Sequence, residues 1–101
     1  MLVAFSIAPM TTQADGSVTD TVARMVQYIR ASGLPNETNA MFTNIEGEWD
    51  EVMAVVKGCC EIAAQSSPRL SLVLKADIRP GHTNMITGKV QRVEDALRNE
   101  M

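Results

Sequence analysis

The chain predicts an α+β fold, a two-layer sandwich in which helices cover an antiparallel four-stranded sheet. Three observations carry this. Apolar residues alternate with period two in several short stretches, recur at helical spacing in others, and are separated by Gly, Pro and Ser at the boundaries. With 101 residues, 46% of them apolar and 21% charged, the chain is sized and composed for one soluble domain spanning 1–101.

Leu2 to Ala8 sets bulky Val3, Phe5 and Ile7 against small Ala4, Ser6 and Ala8, a strand with one packed face that Pro9 ends. The smaller face, with Ser6, could admit a ligand or another subunit, or serve only sheet packing. Thr11 to Gly16 reads as a polar loop, and Ser17-Val18-Thr19-Asp20 as a capping box opening the first helix. Val18, Val22, Met25, Val26 and Ile29 form its apolar stripe; it ends near Ser32, with Gly33 and Pro35 preventing continuation. A second strand starts near Asn36. Alternation places Glu37, Asn39, Met41 and Thr43 on one side of it and Thr38, Ala40 and Phe42 on the other, with a tight connection at Phe42 to Asn44 leading into the third strand.

After Gly47, the acids Glu48, Asp50 and Glu51 suit a helix amino terminus, and Trp49, Val52, Met53, Val56, Cys60 and Ala63 continue as its apolar stripe up to Ser66-Ser67-Pro68. From Arg69, Leu70, Leu72, Leu74, Ala76 and Ile78 alternate with Ser71, Val73, Lys75 and Asp77 in the longest strand. Pro80-Gly81 breaks it, His82 to Thr87 reads as a loop, and Val90, Val93 and Leu97 line one side of a short last helix. The order βαββαβ plus a C-terminal helix is that of a ferredoxin-like sandwich. One sheet face, carrying Ala4, Ser6, Glu37, Asn39, Glu46, Val73, Lys75 and Asp77, is left to a partner, a ligand or water.

Composition excludes several functions. A net charge of −3, scattered Lys and Arg and only four aromatics give neither a phosphate-tracking stripe nor a base-stacking platform, so no nucleic-acid partner is expected. No apolar run reaches membrane-spanning length and Leu2 to Ala8 lacks a basic leader, so no membrane association is expected and the cytoplasm is the expected location. Cys59 and Cys60 are adjacent, poorly placed for a mutual disulfide, and read as thiols in a reducing compartment. With His82 the only histidine and no Cys-x-x-Cys, no metal site is expected. His82 has no paired Ser or Cys nucleophile, and no catalytic residue is assigned; Glu37 and Glu46 could form an acid and base pair across the hairpin. Amides, hydroxyls and carboxylates beside Met41 are also the makings of a small-molecule site.

The run Met41-Phe42-Thr43-Asn44-Ile45-Glu46-Gly47-Glu48-Trp49-Asp50-Glu51-Val52, followed by Val55-Val56-Lys57, resembles the YkoF-like thiamine-binding protein family. Ser6-Ile7-Ala8-Pro9, Ser17 to Ala23 and Lys75-Ala76-Asp77-Ile78-Arg79 match other family segments in order. Phe42 stands where the family commonly has glycine, and Cys60 where it commonly has histidine. The resemblance implies a ferredoxin-like, homotetrameric, non-enzymatic binder of thiamine or its hydroxymethylpyrimidine half, with no further cofactor. An aminopyrimidine's ring nitrogens and amine are complementary to Asn39, Thr43 and a carboxylate from Glu37 or Glu46, with Met41 against the ring and Ser6 at the small-residue face. The alternative is an oligomeric interaction or regulatory domain that binds no thiamine.

Overall fold

The computed structural model describes residues 1–10 and 18–99, Val18 by its backbone alone. The expected loop at Thr11 to Gly16 and the Ser17 end of the capping box lie outside them. Among the described residues seven elements follow in order: β1 (Leu2–Pro9), α1 (Val18–Ala31), β2 (Asn36–Thr38), β3 (Thr43–Glu46), α2 (Trp49–Ala64), β4 (Leu70–Asp77) and α3 (Met85–Asn99). The four strands form one antiparallel sheet in the order β2-β3-β1-β4. This is the expected ferredoxin-like α+β arrangement.

Val3, Phe5 and Ile45 face Met25 and Ile29 of α1 and Val52, Val55, Val56, Cys59 and Ala63 of α2, and these residues form one buried core. The working stripe of α2 is therefore turned from the expected one. Val55 and Cys59 are buried, whereas Trp49 is largely exposed and Cys60 only half-buried. Both sets have helical spacing, and the sheet selects the one nearest Val3 and Ile45. The α1–α2 contact is close at Gly58, where a Cβ would run into the Tyr28 ring and hydroxyl, so the missing side chain admits the tyrosine ring.

β1 is eight residues long and β3 only four, and their pairing runs from Leu2↔Glu46 to Phe5↔Thr43. β1 continues against β4 through Pro9↔Leu70. Beyond Phe5, no strand among the described residues lies on the β3 side of β1. This mismatch in length opens a gap in the sheet, and the β2–β3 connection folds into it.

The third helix corrects two expectations. It starts at Met85, inside the expected His82 to Thr87 loop, and it runs for 15 residues. It also docks on the sheet face opposite α1 and α2. Alternation puts Glu46, Leu2 and Asp77 in one row on that face. Glu46 accepts hydrogen bonds from Met85 N and Ile86 N, and Asp77 pairs with Lys89. Among the described residues the stripe Val90, Val93 and Leu97 is left uncovered, each residue being more than half exposed. Among the described residues no helix is long and apolar enough to cross a membrane.

Candidate functional site

The gap beside β1 is a cavity of about 190 Å³. Phe5, Met25 and Ile29 supply its buried apolar walls, Val22 and Val26 of α1 one side, and Ser6 and Ile7 the open strand edge. Residues Thr38 to Phe42 and Thr43 close it.

The closing segment is a turn built by Asn39. Its backbone N–H donates to Phe42 O at 2.9 Å, and its side-chain Oδ1 accepts from Met41 N and Phe42 N, both at 2.9 Å. An asparagine side chain that satisfies the amides two and three residues on is a local turn former, and here it overrides the strand alternation. The connection therefore falls at Asn39 to Phe42, earlier than the expected Phe42 to Asn44. With Oδ1 occupied, the side-chain NH2 is the part of Asn39 left to donate. Thr38 and Thr43, paired across β2 and β3, bring their hydroxyls to 3.2 Å of each other. Thr43 is buried, and Met41 stands out at the rim with 73% of its surface exposed.

Of the six residues singled out in the sequence, Ser6, Asn39, Met41 and Thr43 line this cavity, and Glu37 and Glu46 do not. Glu37 pairs with Asn44 one position from Thr38↔Thr43, so its exposed side chain projects from the opposite sheet face. Glu46 is 5% exposed, and its two carboxylate oxygens each lie 2.9 Å from Met85 N, with Ile86 N 3.3 Å from Oε1. A carboxylate at the first amides of α3 satisfies donors that have no partner within the helix and lies at the positive end of its dipole. The hairpin therefore does not bring Glu37 and Glu46 together as an acid and base. Phe5, Met25, Ile29 and Thr38 are pocket residues that the sequence reading did not mark. The breadth of the α1 stripe, with Met25 and Val26 adjacent, was the available signal for a helix facing more than the sheet.

No described residue lining the cavity carries a charge. What the arrangement offers is an apolar slot with amide and hydroxyl groups on one side, suited to holding a small neutral heterocycle by its edge. Among the described residues there is no group of three or more His, Cys, Asp or Glu able to hold a metal ion. The cysteines are free: Cys59 lies in the core, where burial pushes its thiol up to about 12, and burial also raises Cys60. His82 stands outside this cavity, in the turn after β4.

Residues 3–94 match the thiamine-binding protein family. The UPF0045 protein Mb1933 of Mycobacterium bovis is 50% identical over 98 residues, covering 96% of this chain and 94% of its own. The UPF0045 protein sll0230 of Synechocystis is 37% identical over 84 residues, covering 82% of this chain and 69% of its own. Among solved structures, protein MJ1052 of Methanocaldococcus jannascii superposes with a TM-score of 0.80 at 29% identity, covering 92% of this chain and 94% of that one. TM0486 of Thermotoga maritima, named for a proposed part in thiamine biosynthesis or salvage, superposes with a TM-score of 0.76 at 27% identity, covering 91% and 96%.

Proposed function

This chain belongs to the thiamine-binding protein family, and from that premise we propose that it binds thiamine or its hydroxymethylpyrimidine half, unchanged, in the cavity between α1 and the β2–β3 turn. The observation that carries the reading is the uncharged slot closed by Asn39, with Thr38, Thr43 and Met41 around an apolar floor. An aminopyrimidine edge takes a hydrogen bond from the Asn39 amide and exchanges hydrogen bonds with the threonine hydroxyls. Its ring lies among Met25, Met41 and Phe42. The cavity of about 190 Å³ takes the pyrimidine ring. Thiamine's thiazolium then extends past Met41 toward water, and neither Glu37 nor Glu46 is needed for the pyrimidine.

Binding without turnover is part of this reading, and its support is the match to a thiamine-binding family. The same reading makes the protein a cytoplasmic homo-oligomer, a tetramer built from dimers. Its support is the stripe of Val90, Val93 and Leu97, apolar surface that the described residues leave exposed. That stripe also favours the second reading, an interaction or regulatory domain without a thiamine ligand. Calorimetry separates the two: heat of binding with thiamine and with hydroxymethylpyrimidine is expected, and no heat with either at near-millimolar protein leaves only the second.

A further inference from the structure

A larger cavity, of about 350 Å³, lies at the opposite end of the sheet, where the turn after β4 passes the start of α2. Trp49 and Ile78 form its apolar wall, and both are more than half exposed, which is costly for side chains of this size unless something covers them. The turn facing them is fixed. His82 N donates to Arg79 O at 3.1 Å, and Gly81 takes a φ of 81° that glycine adopts without strain. This holds Arg79 and His82 on one rim. Neither side chain has a hydrogen-bond or ion-pair partner among the described residues, whereas Asp77, two positions before Arg79, is already held by Lys89. Glu48 stands on the rim as well.

An exposed indole and a guanidinium with no hydrogen-bond or ion-pair partner among the described residues, beside the carboxylates of Glu48 and Asp77, select a ligand by shape and charge. A flat ring stacks on Trp49 beside Ile78, and a carboxylate on that ring takes two parallel N–H bonds from Arg79. Glu48 disfavours a second negative charge. We propose that this cavity is a second binding site, specific for a small aromatic carboxylate carrying a single negative charge, and independent of the slot beside Asn39.

Trp49 is the only tryptophan in the chain, so its indole N–H resonance reports on this cavity alone. Benzoate is the probe and benzyl alcohol its uncharged comparison. Benzoate should shift the resonance saturably, and benzyl alcohol should bind about tenfold or more weakly, the usual cost of losing a charge-assisted pair. Arg79→Gln should lose benzoate affinity to the same degree, and Asn39→Asp should leave it unchanged. No saturable shift at millimolar benzoate, equal affinity for both probes, or an Arg79→Gln variant that binds normally overturns the proposal. So does a resonance that ignores benzoate and moves with protein concentration, which would mean that a second copy of the chain covers the cavity.

Discussion

The polar stretch from Glu37 to Glu46 splits between two regions that use their polar atoms in opposite ways. At the turn, Asn39 spends one side-chain atom on the backbone and keeps the other beside a cavity. A few residues on, Glu46 spends both oxygens on the amides of α3 and is buried. Both residues are polar groups beside apolar ones and look alike in the sequence. What separates them is whether the chain itself supplies the partner. A buried group already satisfied is architecture, and one with unused capacity facing a cavity is available to a ligand.

The largest effect on stability should come from breaking the architectural region. Glu46→Ala leaves the first amides of α3 without their acceptor, and should cost about 2–3 kcal/mol, the range for losing a charged hydrogen-bond partner at a buried site. Urea unfolding would register the loss and hydrogen exchange would localise it to α3, while thiamine affinity should hardly move. A large affinity loss with α3 intact would return Glu46 to the site.

Next in size are two substitutions at the turn. Asn39→Ala removes both functions of the side chain and should lower stability by about 1 kcal/mol and affinity by about 1–2 kcal/mol. Asn39→Asp keeps the acceptor that ties the turn and removes the amide donor. Its melting temperature should stay near that of the parent while its affinity falls with that of the alanine variant. Equal affinity for Asp and Asn at this position would mean that the amide does not touch the ligand.

Smaller at neutral pH are two titrations. Cys59 sits in the core shared by both regions, and its folded thiol ionises near 12, above the unfolded value near 9. At pH 7 both forms are protonated and nothing is lost. As pH rises through that window the unfolded chain releases its proton first and stability falls, so Cys59→Ser should flatten the alkaline limb of a stability profile. Slow labelling of Cys59 by thiol reagents in the native state, and fast labelling in urea, checks its burial separately. The least effect belongs to Asp77, whose carboxyl is held below the usual range first of all by its hydrogen bond to Lys89. That contribution is present above the unfolded carboxylate pKa and is lost as pH falls through the lowered value. Asp77→Asn should therefore narrow the acid limb only slightly, as befits an exposed pair.

The fold was legible because its signals are local: Val3, Phe5 and Ile7 alternate, and α1 and α2 each carry a stripe at helical spacing. The candidate cavity was legible in part. Ser6, Asn39, Met41 and Thr43 do line one cavity, although the reasoning that put the last three on one strand face fails, since Asn39 makes a turn there. The rest depends on contacts distant in sequence. The start of α3 at Met85 is set by Glu46, 39 positions earlier, and no pattern around Met85 reveals it. The rotation of the α2 stripe to Val55 and Cys59 is likewise decided by the sheet it meets. Exposure of Val90, Val93 and Leu97 has the same origin, because helical spacing predicts an apolar face but does not say what covers it.

The methionines offer a direct reading of which region holds the ligand. Met25 and Met41 line the slot, while Met85 lies at the α3 end beside Glu46. With 13C-labelled methionine methyl groups, titration with hydroxymethylpyrimidine should shift the Met25 and Met41 signals saturably and leave Met85 in place. Saturable movement of Met85 with Met25 and Met41 fixed would contradict the account and move the pyrimidine to the other end of the sheet.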